Sequence, residues 1–333
     1  MNIAIIGAGG WGTALSVLLH GKGHPVRLWA YVPAHVTEMQ AKHENVHFLP
    51  GVPLPPDLEI SNDMARVVQG AELVVMAVPS HTMRDTCRKL PPLAAPVLSV
   101  SKGIENETGK RMTEIIAEML PHEPVAALSG PSHAEEVARG TPTAVVVSSL
   151  HPELAGLVQR AFMTDRFRIY TGDDLVGVEL GGALKNVIAI AAGITDGLGL
   201  GDNAKAALVT RGQAEMSRLG MAFGARQETF FGLSGMGDLM VTCFSKWSRN
   251  RGVGERLGRG ETLDQILASM EMVAEGVRTA KSAVSLSQKT GIEVPITREV
   301  VAVLYQGKSP RQAMQDLMMR GAKPELPLLS GKK

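Results

Sequence analysis

Residues 2–20 read NIAIIGAGGWGTALSVLLH, and this stretch decides the fold of the first half of the chain. Its first five residues form a mostly apolar run that ends at glycine, and Trp11 to His20 has the apolar spacing of a helix. Between the two, Gly7, Gly9 and Gly12 fit the pattern G-x-G-x-x-G. A strand that leads through this pattern into a helix predicts a dinucleotide-binding loop.

The three glycines have separate roles in such a loop. Gly7 allows the tight turn, Gly9 lets the backbone approach the phosphates, and Gly12 lets the helix pack closely on the strand. The first N–H groups of the helix have no partner within it, and they carry a partial positive charge toward the ligand. The sequence therefore predicts a pyrophosphate site at this loop, although an ordinary glycine-rich turn has a similar composition.

The second predicted strand should end at the residue that recognises the ribose of the cofactor. An Asp or Glu at this position favours NAD. In this chain Trp29 is followed by Ala30-Tyr31, without a carboxylate. Arg27 lies within the strand, where it could reach a 2′-phosphate. These residues favour NADP, or the use of both cofactors, over NAD alone.

Strand and helix patterns alternate along residues 1–173. The other predicted strands are 25–29, 73–78, 96–100, 125–128, 143–147 and 168–170, and helical patterns occupy 80–90, 108–119 and 151–162. Residues 73–78, LVVMAV, are apolar throughout, as in a strand buried on both faces. The alternation predicts an α/β, Rossmann-like parallel-sheet domain with helices on both faces. The proline-rich segment 32–56 is predicted to be irregular.

The strand signals stop after about residue 174. Long helices are predicted at 175–199 and 204–221, and shorter ones near 262–270, 277–290 and 309–320. We therefore expect an all-helical substrate-binding domain over 174–333, with the junction at Gly172-Asp173-Asp174. Because ligand sites favour domain interfaces, the cleft between the two halves is the expected binding site.

Composition excludes several classes of protein. The 34 Lys and Arg residues against 33 Asp and Glu give a net charge of +1, which argues against a polybasic nucleic-acid binder. No apolar run reaches the roughly 18 residues of a membrane span. The two cysteines, Cys87 and Cys243, cannot form a disulfide scaffold, which favours a reducing cytoplasm. His43 and His47 are four residues apart without an evident third ligand, so no metal site is expected.

Lys185 is the strongest catalytic candidate. Lys185 and Asn186 are the two polar side chains of the otherwise apolar segment GGALKNVIAIAAGI, residues 181–194. Lysine is almost never fully buried without a partner. Desolvation lowers the pKa of lysine, which suits it to proton transfer near neutral pH. Asn186 is a candidate to orient a substrate hydroxyl or the lysine itself.

Further polar residues follow two of the predicted strands. Lys102 follows the strand at 96–100, and the sequence SGPS, residues 129–132, follows the strand at 125–128 and precedes a helix. Ligands of open α/β sheets lie beyond the carboxyl ends of the strands, and a helix N-terminus attracts anions. The alternatives are a solvated loop lysine and a plain helix cap.

Two segments of the second half flank a short predicted helix. They are GMGD, residues 235–238, and SRNR, residues 248–251. Arginine is suited to bidentate capture of phosphate, and Asp238 could hold a lysine or a substrate hydroxyl. From spacing alone, an ordinary exposed basic turn explains SRNR better.

Taken together, several long segments resemble the bacterial NAD(P)-dependent glycerol-3-phosphate dehydrogenase family. The matching segments are IAIIGAGGWGTALS, FLPGVPLP, VPSHTMR, SKGIE, LSGPSHAEEVARGTPTAVVV, VELGGALKNVIAIAAGITDGLGLGDNAKAALVTRG, GLSGMGDLMVTCFSKWSRNRGVGERLGRG and VAEGVRTA. They extend over residues 3–280 and are far more specific than the glycine loop.

The resemblance implies reversible reduction of dihydroxyacetone phosphate to sn-glycerol 3-phosphate with NADP(H) or NAD(H), which supplies phospholipid synthesis. It implies that Lys185 exchanges the proton. Substrate contacts are implied for Lys102, Gly130, Ser132, Lys185, Asp238, Ser248, Arg249 and Asn250. Cofactor contacts beyond the loop glycines are implied for Gly10, Trp11, Tyr31, Phe48, Lys102, Ala134, Arg249, Val273 and Glu275. A homodimer is expected by analogy with the family, and membrane insertion is not.

Two alternatives stay open at this point. A 3-hydroxyacid or 6-phosphogluconate-type dehydrogenase also pairs a Rossmann domain with helices and uses a lysine, but SRNR and a phosphate requirement separate it from the family above. A dinucleotide sensor without catalysis would need no acid or base in the cleft, and Lys185 argues against it.

Overall fold

An eight-stranded sheet forms the first half of the molecule. The structure is a computed structural model that describes residues 1–121, 123–270, 272–322 and 324–325. The strands are β1 (Ile3–Ile6), β2 (Val26–Trp29), β3 (Glu59–Ser61), β4 (Leu73–Met76), β5 (Val97–Ser99), β6 (Val125–Ser129), β7 (Thr143–Ser149) and β8 (Phe167–Gly172). Their order across the sheet is β3-β2-β1-β4-β5-β6-β7-β8.

The predicted α/β architecture is confirmed, with one difference in strand direction. All neighbouring strands are parallel except β6 and β7, which are antiparallel. β1 pairs with β2 on one side and β4 on the other, so the strand order reverses between β1 and β4. In open α/β sheets, ligands bind at the carboxyl ends of strands beside such a reversal. The position of the glycine loop directly after β1 is therefore the expected binding edge.

Helices cover both faces of the sheet. They are α1 (Gly10–Gly21), α2 (Pro33–Lys42), α3 (Met64–Val68), α4 (Met83–Lys89), α5 (Met112–Met119), α6 (Ala134–Ala138) and α7 (Pro152–Phe162). Ile3 and Ile5 pack into the core on one face of β1, and Ala4 and Ile6 pack into the core on the other. This two-sided burial explains the continuous apolar strands.

The prediction of an irregular segment at 32–56 is wrong for its first part, because α2 lies there. Pro33 occupies the first turn of α2, where its fixed φ suits the helix and its missing N–H is not needed. The short β3 and α3 also escaped the sequence analysis. Each spans a few residues only, too few for a clear periodicity.

Helices make up the second half of the chain. They are α8 (Leu175–Gly197), α9 (Gly201–Met221), α10 (Gln227–Phe231), α11 (Asp238–Phe244), α12 (Arg249–Gly258), α13 (Leu263–Ala268), α14 (Glu275–Thr290), α15 (Pro295–Tyr305) and α16 (Pro310–Met318), with a π-helical turn at Leu233–Gly237. The helix α15 was not predicted. By length and composition α8 could cross a membrane, but 94% of its apolar 18-residue window is buried inside the chain. It is the core helix around which the others pack.

Glycines bring α8 and α12 into backbone contact. A Cβ on Gly193 or Gly197 of α8 would collide with carbonyl groups of α12. Conversely, a Cβ on Gly254 or Gly258 of α12 would collide with carbonyl groups of α8. Small residues at such positions allow a closer approach than side chains permit. The contact holds the start of α12 beside the middle of α8, where Lys185 lies.

Candidate active site

The predicted catalytic residues converge on one buried carboxylate. Lys185 Nζ donates to Asp238 Oδ1 at 2.7 Å, and Lys102 Nζ donates to Asp238 Oδ2 at 2.6 Å. Lys185 also contacts Thr242 Oγ1 at 2.5 Å, and Lys102 donates to the carbonyl of Gly130 at 3.0 Å. Asp238 is 1% exposed, and each of its carboxylate oxygens accepts a hydrogen bond from one ammonium group.

Burial sets the protonation properties of this cluster. Desolvation lowers the pKa of Lys185 to about 8, although Asp238 opposes the shift and the charge of Lys102 adds to it. Burial alone would raise the pKa of Asp238, but Lys102 and Lys185 hold it below the ordinary value. Asp238 therefore stays ionised near neutral pH. Lys185 can both donate and accept a proton there, which suits general acid–base catalysis.

Local sequence explains why these side chains meet. Asp238 and Thr242 are four residues apart on α11 and therefore share one helix face. Gly181 and Gly182 precede Lys185 by one turn of α8. A Cβ on Gly181 would lie 2.7 Å from the carbonyl of Ser234, and one on Gly182 would lie 2.5 Å from the hydroxyl of Ser129 at the end of β6. The two glycines thus let α8 contact the sheet edge and the π-helical turn at once.

The start of α12 borders the same cluster. Ser248 caps the helix by accepting from the N–H of Arg251 at 3.2 Å. Asn250 Nδ2 donates to Asn186 Oδ1 at 2.9 Å, and Asn250 Oδ1 accepts from the N–H of Gly276 at 2.9 Å. The Asn250 side chain thus joins α8, α12 and α14. SRNR is a helix start rather than an exposed basic turn, and its first-turn N–H groups are suited to an anion.

Arg249 stands at the first position of α12. Its guanidinium donates to the carbonyl of Val273 at 3.0 Å, and the residue is exposed. Glu275, two residues after Val273, begins α14. The carboxylate of Glu275 accepts from the N–H of Ser80 at 2.9 Å and from its hydroxyl at 2.5 Å. Of the residues implied by the resemblance, Glu275 thus contacts the segment after β4, and Arg249 contacts Val273 next to it.

The glycine loop has the shape required for a dinucleotide. Gly7 has φ +120°, and a Cβ there would lie 2.6 Å from the carbonyl of Ala77. A Cβ on Gly9 would meet nothing within 4 Å, so its backbone is open to a ligand. Gly9 also precedes α1 as its N-cap, without a side-chain cap. The residues therefore fit a pyrophosphate on the open N–H groups of α1.

Residues around the loop complete this wall of the cleft. A Cβ on Gly10 would lie 2.7 Å from the carbonyl of Phe48 and 3.6 Å from the side chain of Ala134. Trp11 packs against Phe167, with ring centroids 6.4 Å apart. Gly12 lies so close to the backbone carbonyl of Gly7 in the loop that no Cβ fits. Gly10, Phe48 and Ala134 are therefore neighbours, whereas the Trp11 ring points toward the core.

The end of β2 differs from the sequence-based suggestion. The guanidinium of Arg27 donates to the carbonyls of Arg66 at 2.7 Å and Gln69 at 2.5 Å. The guanidinium of Arg27 is thus hydrogen-bonded at the end of α3 and does not point a donor toward a 2′-phosphate. Tyr31 is 70% exposed, and Lys89 Nζ lies 5.2 Å from its ring centroid.

Some contacts of the site were missed from the sequence. The side-chain amide of Asn186 donates to the carbonyl of Gly182 and accepts from the side chain of Asn250. Thr242 rather than Asn186 therefore orients Lys185. The spacing of Asp238 and Thr242 on one helix could have revealed Thr242. Ser80 had no sequence signal, because its partner Glu275 lies 195 residues away.

The histidines His35 and His47 lie beside each other near α2. His47 Nε2 lies 2.8 Å from a carboxylate oxygen of Glu38, and its ring stacks on His35. Among the residues that the structure describes, no three His, Cys, Asp or Glu side chains come together as ligands.

Comparisons with known proteins agree along nearly the whole chain. Residues 2–155 match the family model of the NAD-dependent glycerol-3-phosphate dehydrogenase N-terminus, and residues 174–315 match that of the C-terminus. A glycerol-3-phosphate dehydrogenase (NAD(P)+) from Chlorobium phaeobacteroides (strain BS1) is 51% identical over 98% of this chain and 99% of its own length. One from Citrifermentans bemidjiense is 53% identical over 97% and 98%.

A solved structure shows the same similarity in three dimensions. The crystal structure of glycerol-3-phosphate dehydrogenase from Coxiella burnetii superposes with a TM-score of 0.93 at 40% sequence identity. The match covers 96% of this chain and 99% of that one.

Proposed function

The chain belongs to the NAD-dependent glycerol-3-phosphate dehydrogenase family, and on that premise we propose how its residues carry out the reaction. It is an oxidoreductase that interconverts dihydroxyacetone phosphate and sn-glycerol 3-phosphate with NAD or NADP. The observation that carries the assignment of roles is the pair of lysines on the buried carboxylate of Asp238.

Lys185 is the proton donor for ketone reduction and the acceptor for alcohol oxidation. Its Nζ is buried and has a pKa of about 8, lowered by desolvation. When bound, the reduced nicotinamide supplies a hydride to the ketone carbon. Lys185 gives its proton to the oxygen on which negative charge develops, and a general acid of this kind contributes about 10²–10⁴-fold to the rate.

Asp238 and Lys102 keep Lys185 in place and set the charge around it. Asp238 orients both ammonium groups through separate oxygens. Lys102 lies at the carboxyl end of β5 and is less buried than Lys185, with 19% of its side chain exposed. We assign Lys102 to contact with the substrate oxygen and the cofactor.

The substrate phosphate is assigned to the start of α12. The backbone N–H groups of Arg249 and Asn250 and the guanidinium of Arg249 supply donors for an anion, whereas the N–H of Arg251 is bonded to Ser248. The side chain of Asn250 is hydrogen-bonded to Asn186 and Gly276. The backbone N–H of Asn250 is therefore the group that binds the phosphate. Gly130 and Ser132 border the substrate from the loop after β6, where Ser132 Oγ donates to the carbonyl of Gly130 at 2.9 Å.

The dinucleotide is assigned to the edge of the sheet around β1, β2 and β4. Its pyrophosphate takes the open backbone of Gly9 and Gly10, and its adenosine end lies toward Tyr31 and Phe48. Glu275 and Val273 border the nicotinamide end from the helical half. The boundary between a cofactor domain and a substrate domain is placed at 173/174, within the turn that joins β8 to α8.

The same reasoning gives three proposals about the cellular context. The enzyme acts in the cytoplasm, and its product supplies the glycerol backbone of phospholipids. It assembles as a homodimer, as expected by analogy with the family.

The direct test follows the absorbance of the reduced cofactor with dihydroxyacetone phosphate, once with NADH and once with NADPH. Oxidation of either cofactor supports the assignment, and the ratio of the two rates gives the cofactor preference left open by Ala30-Tyr31. The control is unphosphorylated dihydroxyacetone, which should be reduced far more slowly because it lacks the anion that α12 and Arg249 hold. Binding of cofactor without oxidation in either assay would refute the proposed substrate.

A further inference from the structure

Ser80 has no role in the reaction as assigned above, although it binds a charged residue from the other half of the chain. It lies in the short 3₁₀ turn Ser80–Thr82 after β4 and is 4% exposed. Its N–H donates to Glu275 Oε1 at 2.9 Å, and its hydroxyl donates to Glu275 Oε2 at 2.5 Å. One residue thus fixes both oxygens of a carboxylate, which restricts the carboxylate more than a single hydrogen bond would.

The two halves of the chain are joined by other contacts as well. The N–H of Thr113 in the first half donates to the buried carboxylate of Glu179 on α8 at 2.8 Å. The ion pair of Lys102 with Asp238 also crosses between the halves. The hydrogen bonds of Ser80 are therefore not needed to hold the halves together, and their effect is local, on the carboxylate that they fix.

The carboxylate of Glu275 lies beside the reaction centre. A Cβ on Gly103 would lie 2.3 Å from the Cβ of Ser80 and 3.5 Å from Oε2 of Glu275. Gly103 directly follows Lys102, one of the two lysines on the buried carboxylate of the site. Hydride transfer requires the nicotinamide ring to contact the substrate carbon whose oxygen faces Lys185. The ring therefore comes close to Glu275 in a productive complex.

The negative charge of Glu275 is available to that ring. Glu275 is only partly buried, and in the part of the chain that the structure describes its carboxylate is hydrogen-bonded by the neutral Ser80. The nicotinamide ring is neutral in the reduced cofactor and positively charged in the oxidised cofactor. A fixed negative charge near the ring therefore favours the oxidised form.

Arg249 is a competing partner for the same carboxylate. Its guanidinium donates to the carbonyl of Val273, two residues before Glu275, at 3.0 Å. Burial lowers the pKa of Arg249, and the charges of Glu135 and Glu275 oppose this shift. An ion pair of Arg249 with Glu275 would cancel the charge near the ring and occupy the guanidinium assigned to the substrate phosphate. The hydrogen bonds from Ser80 engage both oxygens of the carboxylate instead.

We propose that Ser80 positions the carboxylate of Glu275 so that it stabilises the positive charge of the oxidised nicotinamide ring. The inference rests on the proposed function, because it places the ring against the substrate beside Lys185. Ser80 is a positioning residue: it is buried and acts through Glu275. In ketone reduction the ring becomes positive as the hydride leaves with its two electrons, so the carboxylate also favours that step.

The test compares the dissociation constants of the oxidised and the reduced cofactor, measured by titration calorimetry without substrate. The unchanged enzyme shows first whether the NAD or the NADP pair binds better, and that pair is used throughout. Glu275→Gln removes the charge and keeps the size of the side chain. The ratio of the oxidised to the reduced dissociation constant should then rise by about threefold to tenfold, the effect of a partly exposed charge pair.

Ser80→Ala removes the hydroxyl donor and leaves the backbone N–H in place. It should raise the same ratio by about threefold, because the carboxylate is held by one hydrogen bond instead of two. In the double variant with Glu275→Gln, the change at Ser80 should add nothing to the ratio, since the charge is already absent. The ratio does not depend on how much of each variant is folded.

Ser149→Ala is the matched control. Ser149 is also buried, and its hydroxyl donates to the carbonyl of Val125 at 2.7 Å, at the edge of the sheet opposite the site. Its removal should leave the ratio at the value of the unchanged enzyme, even if denaturant unfolding shows a similar loss of stability for Ser149→Ala and Ser80→Ala.

Three results would overturn the inference. They are an unchanged ratio in Glu275→Gln, an equal loss of affinity for both cofactor forms in Ser80→Ala, and a further change of the ratio by Ser80→Ala when Glu275 is already Gln. The second is the result that a merely structural role of Ser80 would give. Because the titrations contain no substrate, they are separate from the proposed function, which would instead be contradicted if the unchanged enzyme failed to reduce dihydroxyacetone phosphate.

Discussion

The glycine loop after β1 and the glycine contacts between α8 and α12 use the same residue for opposite purposes. In the loop, the missing Cβ of Gly9 leaves the backbone open, with nothing within 4 Å. Between the helices, the missing Cβ of Gly254 lets one backbone press directly on another. The first region binds a ligand through main-chain groups. The second has no ligand, but it holds Lys185 and the start of α12 in one site.

Cofactor binding and proton transfer depend on different regions of this molecule. The sheet edge has backbone N–H groups, which can bind a ligand because no protein atoms occupy the space in front of them. The helical half offers buried side chains, whose function depends on low exposure and close partners. Each variant below changes one region and leaves the other intact. The predictions start with the largest expected effect.

Lys185→Met should reduce turnover of dihydroxyacetone phosphate by about 10²–10⁴-fold, because the general acid is lost. Cofactor affinity should remain within about threefold, since the glycine loop is untouched. Steady-state kinetics and cofactor titration measure the two effects. Lys205→Met is the matched control, because Lys205 is also buried and pairs with Asp196 at 2.8 Å outside the cluster. If both variants lost turnover equally, the loss would reflect a disturbed fold and Lys185 would not be the acid.

The pH profile should report the same lysine. In ketone reduction Lys185 must be protonated, so kcat/KM should fall above about pH 8, by about tenfold per pH unit. In alcohol oxidation Lys185 must be neutral, so kcat/KM should rise with pH and level off above about pH 8. Measurement in both directions decides the matter. Profiles with the same slope in the two directions would contradict the role of Lys185.

Gly254→Ala should lower the free energy of unfolding by about 1–3 kcal/mol, the usual cost of overpacking. Its Cβ would collide with the carbonyl of Ile190, and α12 would have to move. Gly252→Ala on the same helix is the control, because a Cβ there meets nothing within 4 Å. Denaturant unfolding of the two variants measures the difference. Equal stability of the two would show that α8 and α12 do not need their close approach.

Gly9→Ala should leave stability nearly unchanged and weaken cofactor binding by about tenfold, comparable to one hydrogen bond to a charged group. The added methyl group enters the space where the pyrophosphate approaches, but it meets no protein atom. Cofactor titration and thermal unfolding are the two measurements. A lower melting temperature with normal cofactor affinity would reverse the distinction between the two regions.

Much of this molecule was predictable from its sequence because the signals are local. The strand, the glycine loop and α1 are contiguous, and the spacing of the glycines reflects the geometry of one turn. Lys185 was found because it interrupts an apolar helix. The helix α2 was missed because the proline-rich segment 32–56 was predicted to be irregular, although Pro33 suits the first turn of a helix.

The partners of these residues were less predictable. Asp238 was a candidate from the sequence, but nothing local showed that it holds both Lys102 and Lys185, which lie 136 and 53 residues away. The sequence left open whether Arg27 reaches a 2′-phosphate for the same reason, because its acceptors at the end of α3 are distant in sequence. The pairing of Ser80 with Glu275 joins the two halves of the chain and had no local signal.

The sequence by itself determined the alternation of strands and helices, the dinucleotide loop and the identity of the buried lysine. These depend on periodicity and on backbone conformation, which neighbouring residues control. Tertiary packing decides which charges meet and how far the pKa of Lys185 is lowered. Those properties depend on burial and on distances between groups far apart in the chain, and they exist only once α8, α11 and the sheet edge have packed together.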